Sequence, residues 1–138
     1  LCPLRITLAA LIMESRENNL SKFIQLSLKE IKTYLGLKTS IIESSAIYSN
    51  SHLKGEQRIT DICRRENCSV YINLPGGADL YSGSNFVKEG IDLYFIKSDG
   101  IRYRQFGDEF IPSLSMIDVM MFNSREKIHE FLNSYELV

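Results

Sequence analysis

Tryptophan is absent from this 138-residue chain, which has two histidines, three prolines and three cysteines. Each scarcity excludes something. The two histidines, His52 and His129, are not placed to assemble a Ser–His–Asp set. His52 falls in a polar loop and His129 on the outward side of the last expected helix, so both read as surface residues. An odd number of cysteines makes no disulfide framework. The Cys63-x₄-Cys68 spacing is not that of a zinc pair and has no histidine close by, so free buried thiols are expected and no metal site. Charge of one sign is also missing: 16 basic against 17 acidic residues leave a net charge of −1. Without a basic block on one face, DNA and RNA are not the expected partners. No apolar run approaches the ~20 residues that span a bilayer. The most apolar early run, residues 8–13, has only Arg5 before it and Glu14 after it, a poor signal peptide. The expectation is a cytoplasmic protein.

What is present supports one domain, residues 1–138, with a core of its own. The chain opens Leu1-Cys2-Pro3-Leu4 without a methionine, as a processed product or the C-terminal part of a longer protein would. Residues 4–13 are apolar with no clean period and read as weakly helical. Asn18 and Asn19 are candidate caps for a helix over residues 20–35, with Leu20, Phe23, Ile24, Ile31, Tyr34 and Leu35 on one stripe and Gly36 as its stop. Residues 39–44 read as a short β-branched strand, followed by a polar loop over residues 44–55. A helix over residues 56–67 turns Ile59, Ile62 and Cys63 inward and Arg58, Arg64 and Arg65 outward.

The stretch from Cys68 to Ile96 carries the clearest pattern. Val70 to Ile72 is β-rich and stops at Pro75-Gly76-Gly77; a short helix ending near Gly90 follows, then Ile91 to Ile96. That is a βαβ unit, whose ligands lie beyond the carboxyl ends of the strands. With the strand at 39–44 it predicts two overlapping βαβ units. The fold class expected is α/β, a three-layer α/β/α arrangement on a mostly parallel sheet of three or more strands. After a turn at residues 97–100, residues 101–106 alternate roughly as a strand does. Ser115 and Asp118 then make a capping-box-like pair opening a helix to Phe122. A last helix runs over residues 125–135, with Ile128, Phe131, Leu132 and Tyr135 inward.

Local chemistry leaves alternatives open. Gly76 and Gly77 could let backbone amides approach an anion, but neither the dinucleotide fingerprint nor the P-loop pattern is met, and a plain tight turn explains them equally. Tyr81, Tyr103 and Gln105 lie near strand ends, where they could bind a substrate or simply rim the surface. Asp118 could act as a base, although a carboxylate in a first helical turn is favoured by the helix dipole in any case.

From Tyr34-Leu-Gly-Leu-Lys-Thr onward the chain resembles the WbqC-like family, bacterial proteins found among genes for O-antigen and other surface polysaccharides. The matching pieces are Glu43-Ser-Ser, Lys54-Gly-Glu-Gln-Arg-Ile-Thr-Asp-Ile-Cys, Tyr71-Ile-Asn-Leu-Pro-Gly-Gly with Leu80-Tyr81, Phe86 with Gly90-Ile91, and Tyr103-Arg-Gln-Phe. Most specific is Phe110-Ile-Pro-Ser-Leu-Ser-Met-Ile-Asp-Val-Met-Met-Phe-Asn. The family's N-terminal Gln-Pro turn and Arg-Asn segment have no counterpart here. The resemblance implies a transferase moving an acyl or aminoacyl group onto an amino sugar, with a nucleotide-linked or lipid-linked sugar as small-molecule substrate. It implies Asp118 and Gln105 as catalytic residues, Asp118 organising the site or acting as base. Ser44, Ser45, Arg58, Gly76, Gly77, Tyr81 and Ser115 would bind substrate, with Asp61, Tyr71 and Pro112 carried over by position; Tyr103 joins the substrate-binding set from its place near a strand end. No cofactor is assigned, and a homo-oligomer is left open. The rival reading is a non-catalytic scaffold module, or an inactive fragment, in a polysaccharide-assembly complex.

Overall fold

The computed structural model describes residues 17–138. The weak helix expected over residues 4–13 lies outside them. The chain is mixed α/β and divides into two compact units. The first joins the segment ending at Glu43 to Gly100–Asn133; the second joins Ser44–Asp99 to Ser134–Val138.

The first unit is helical. Helix α1 spans Leu20–Leu35, the bounds its local signals predict. The Asn19 side chain accepts from the Lys22 amide at 3.1 Å. At the other end Gly36 takes φ +67°, and the Gly36 and Leu37 amides donate to the Thr33 and Lys32 carbonyls at 3.1 and 3.0 Å. This paired 5→2 and 6→1 closure needs a left-handed residue, which glycine adopts without steric cost. Helices α4 (Met116–Phe122) and α5 (Arg125–Leu132) follow an irregular segment, each opened by a serine, Ser115 or Ser124, whose hydroxyl accepts a first-turn amide. Leu35, Val119, Met120 and Ile128 are buried together, with Ile31, Tyr34, Tyr103 and Phe131 packed around them. The expected inward stripe of α1 is met only in part: Leu20 and Ile24 remain exposed.

The second unit holds the sheet. Helix α2 (Gly55–Arg65) leads to β1 (Val70–Asn73); a 3₁₀ turn at Pro75–Leu80 and helix α3 (Gly83–Lys88) lead to β2 (Asp92–Ser98). Strands β1 and β2 pair in parallel, Tyr71 opposite Leu93, so the βαβ unit is present. Cys63, Phe86 and Ile91 form its core, with Ile59, Tyr71, Tyr81 and Leu93 packed against them. The third strand, β3 (Tyr135–Leu137), pairs antiparallel to β2, giving the order β1-β2-β3.

Several expectations are corrected. Residues 39–44 form no strand, so the second βαβ unit is absent, and one of the two strand ladders is antiparallel rather than parallel. The polar loop after them contains a 3₁₀ turn, Ser45–Tyr48. The alternation over residues 101–106 also forms no strand. The last helix stops at Leu132, and Tyr135 lies in β3, half exposed, because the Phe95 and Val138 backbones bond to each other at 2.8 and 3.0 Å. Cys63 is buried as expected but Cys68 is exposed. His52 is exposed and His129 half-buried. No described helix is long and apolar enough to cross a membrane.

Candidate functional site

The irregular segment after β2 brings the first unit's polar candidates together. Ser115 caps α4 by accepting from the Ile117 amide at 3.2 Å. Its partner in the expected capping box does something else: Asp118 Oδ2 accepts the Tyr103 hydroxyl at 2.6 Å and the Gln105 amide at 3.4 Å. Two donors therefore converge on one carboxylate oxygen and leave Oδ1 for a further donor. Burial, then Asp118, push the Tyr103 hydroxyl above its ordinary pKa, so the phenol stays neutral and keeps donating.

Gln105 has a second engagement. Its side-chain amide donates to the Ile111 carbonyl at 3.0 Å and accepts from the Ile111 amide at 2.9 Å. That two-point bridge closes the loop between them at its neck, a job usually done by a paired strand. Tyr103, Gln105 and the loop line an open concavity of about 340 Å³, together with Arg104, Phe106, Asp108 and Phe110. Around it Phe110 meets Tyr103 edge-on at 5.5 Å and lies under the Arg102 guanidinium at 5.0 Å. Between the loop and α4, just after Pro112, Ser113 has φ +58°, a left-handed conformation that strains a non-glycine residue. Asp118 itself stands behind Tyr103 and Gln105, outside the concavity's lining.

In the second unit the candidates build structure. Asn50, 1% exposed, donates to Asp61 Oδ2 at 2.7 Å. Arg64 and Arg65 bond the same carboxylate at 3.2 and 2.9 Å. The Asn50 hydrogen bond, then the two guanidiniums, hold Asp61 below its ordinary pKa although burial opposes them. Arg58, expected to face outward, is half-buried and donates to Asn50 at 3.2 Å and to the Ser45 hydroxyl at 3.0 Å. Ser44 accepts from the Ala46 amide at 3.2 Å and starts the 3₁₀ turn. Asn50, whose side chain organises this network, carried no signal by itself. The arginines at i+3 and i+4 from Asp61 were the readable sign of a shared carboxylate.

Gly76 and Gly77 differ. A Cβ on Gly77 would stand 2.7 Å from the Asn73 side-chain Nδ2 and 3.3 Å from the Tyr81 ring, and the Gly77 backbone amide already donates to the Leu74 carbonyl at 3.0 Å. Close packing of Asn73 and Tyr81 explains that glycine. Gly76 has open space where a side chain would be. Tyr81 stands edge-on to both Phe86 and Tyr71 at 5.9 Å, and Tyr71 stacks on Phe86 at 5.5 Å. Burial, then its Tyr81 neighbour, push the Tyr71 hydroxyl up to about 12. Among the described residues no three His, Cys, Asp or Glu are grouped to hold a metal ion.

Fold and site together define a mixed α/β protein in which a tyrosine and a glutamine are fixed by one aspartate at the edge of an open, aromatic-lined concavity. The chain belongs to the WbqC-like protein family, whose model matches residues 5–130. It is similar to the uncharacterized protein Rv1507c of Mycobacterium tuberculosis, with 27% identity over 126 residues, covering 91% of this chain and 53% of that protein. The chain thus spans about half the length of that curated relative. No solved structure matches it.

Proposed function

We propose that this chain is part of a WbqC-like transferase of bacterial surface-polysaccharide and O-antigen biosynthesis. It would act in the cytoplasm on a nucleotide-linked or lipid-linked sugar, moving an acyl or aminoacyl group onto an amino sugar. The observation that carries the reading is the convergence of Tyr103 and Gln105 on Asp118 beside the 340 Å³ concavity. An attacking amine must lose a proton, and Asp118 is the basic group of this cluster, oriented by two donors. In this reading Tyr103 presents its phenol oxygen to substrate, Asp118 organises the site and takes up the proton through the Tyr103 hydroxyl that it holds at 2.6 Å, and Gln105 holds the loop. A three-layer α/β/α arrangement on a mostly parallel sheet belongs to the same proposal, as the architecture of the longer protein.

The test is thermal denaturation against a panel of nucleotide-linked sugars, on the wild type and on Asp118→Asn. A ligand at a hundred times its dissociation constant adds about 2.7 kcal/mol to stability, a shift of several degrees. That shift should appear in the wild type and shrink or vanish in the variant. No shift across that panel, nor with a detergent-soluble lipid-linked sugar, sinks the reading. A second reading, a non-catalytic scaffold module, is favoured by the engagement of Ser45 and Arg58 with each other and Asn50. Co-purification with a glycosyltransferase and no turnover by chain or full-length protein would select it.

A further inference from the structure

Three residues lining the concavity have no part in the chemistry above: Arg104, Phe106 and Asp108. Phe106 is 86% exposed, more than any other large apolar side chain among the described residues. It is nevertheless anchored, its ring meeting Phe122 edge-to-face at 4.6 Å. Arg104 and Asp108 have no hydrogen-bond or ion-pair partner among the described residues. The Gln105–Ile111 bridge ties the neck of the loop that presents them, so the aromatic face and the two exposed polar side chains project from a fixed base.

One class of ligand matches this combination. A pyranose ring has an apolar C–H face and a rim of hydroxyls. An aromatic ring attracts polarised C–H groups to its electron-rich face while excluding water from them. A guanidinium fork and a carboxylate each bind two neighbouring hydroxyls at once, one as donor and the other as acceptor. A nucleoside base would also stack on Phe106, so a nucleoside is the competing probe.

We propose that the loop from Arg104 to Asp108 is a sugar-ring subsite, Phe106 stacking on the C–H face and Arg104 and Asp108 holding the hydroxyls. The inference rests on the transferase reading for its setting and names what the concavity holds. Saturation-transfer NMR tests it with N-acetylglucosamine, methyl glucoside and uridine as probes, on the wild type, Phe106→Ala, Phe106→Trp and Arg104→Ala. The expected result is transfer to ring C–H protons of a sugar, at least tenfold weaker affinity in Phe106→Ala, retention in Phe106→Trp and weakening in Arg104→Ala. Absence of sugar signal in the wild type, an unchanged signal in Phe106→Ala, or transfer to uridine alone overturns it. The two readings fail separately. Stabilisation by a nucleotide-linked sugar that Phe106→Ala leaves intact removes the subsite and keeps the transferase. Phe106-dependent binding of a free sugar, with no nucleotide-linked sugar stabilising the protein, does the reverse.

Discussion

Replacing Phe86 should unfold the second unit more readily than any change at its surface. The ring is fully buried with Cys63 and Ile91, stacked on Tyr71 at an interplanar angle of 9° and edge-on to Tyr81 at 79°. Truncation to alanine in a core costs about 3–5 kcal/mol, from lost transfer energy and the cavity left behind. Leucine keeps most of the volume and loses the two ring pairs, about 1 kcal/mol each. Against a typical total of about 5–15 kcal/mol, Phe86→Ala leaves a marginal protein and Phe86→Leu a folded but weakened one. Urea denaturation followed by tyrosine emission is a direct assay, because the chain has seven tyrosines and no tryptophan to take up their excitation. A second signal comes from Tyr71, held near 12 mainly by burial. In Phe86→Leu its looser surroundings should let it titrate closer to the ordinary 10.0, read by ultraviolet absorbance. A loss in Phe86→Ala no larger than that of a surface substitution, about 0.5 kcal/mol, would refute the assignment of Phe86 as the centre of this core.

Two further outcomes follow from the backbone and the buried carboxylate. Gly36→Ala places a Cβ at φ +67° and should lose about 1 kcal/mol in urea denaturation, whereas unchanged stability would mean that the α1 cap relaxes. Asp61 has a folded pKa below its ordinary 3.8, so its stabilising contribution is present above 3.8 and disappears as pH falls through the lower folded value. Asp61→Asn should therefore be less stable at neutral pH and show a flatter acid-unfolding profile below 3.8, measured by circular dichroism. An acid profile identical to the wild type's would take Asp61 out of that role.

The candidate site was legible in its residue types and not in its connections. Tyr103, Gln105, Ser115 and Asp118 stand out as polar residues near element ends; the structure bonds Tyr103 and Gln105 to Asp118 and leaves Ser115 as the cap of α4. Sequence spacing suggested that Asp118 closes a capping box, because it lies three residues after Ser115. In the fold Ser115 caps alone, and the carboxylate turns to a hydroxyl supplied from fifteen residues upstream. In the same way Arg58 looked like a solvated helix-face residue until Asn50 and Ser45 were placed against it.

By itself the sequence determined the features that depend on neighbours along the chain. Asn19 and Gly36 set the ends of α1, Ser115 and Ser124 open the last two helices, and two β-rich runs flank a short helix to make the parallel β1–β2 pair. Capping and hydrophobic period act within a few residues, so they can be read without the fold. Tertiary structure alone decided which extended segments became strands. Residues 39–44 have the right composition and find no partner ladder; Tyr135 reads as the end of a helix, and Tyr135–Leu137 becomes β3 by pairing with Ile96–Ser98. A strand is completed by hydrogen bonds to distant backbone, whereas a helix completes its own. That difference also separates the site residues that can be named from a sequence from the partners that only the folded chain supplies.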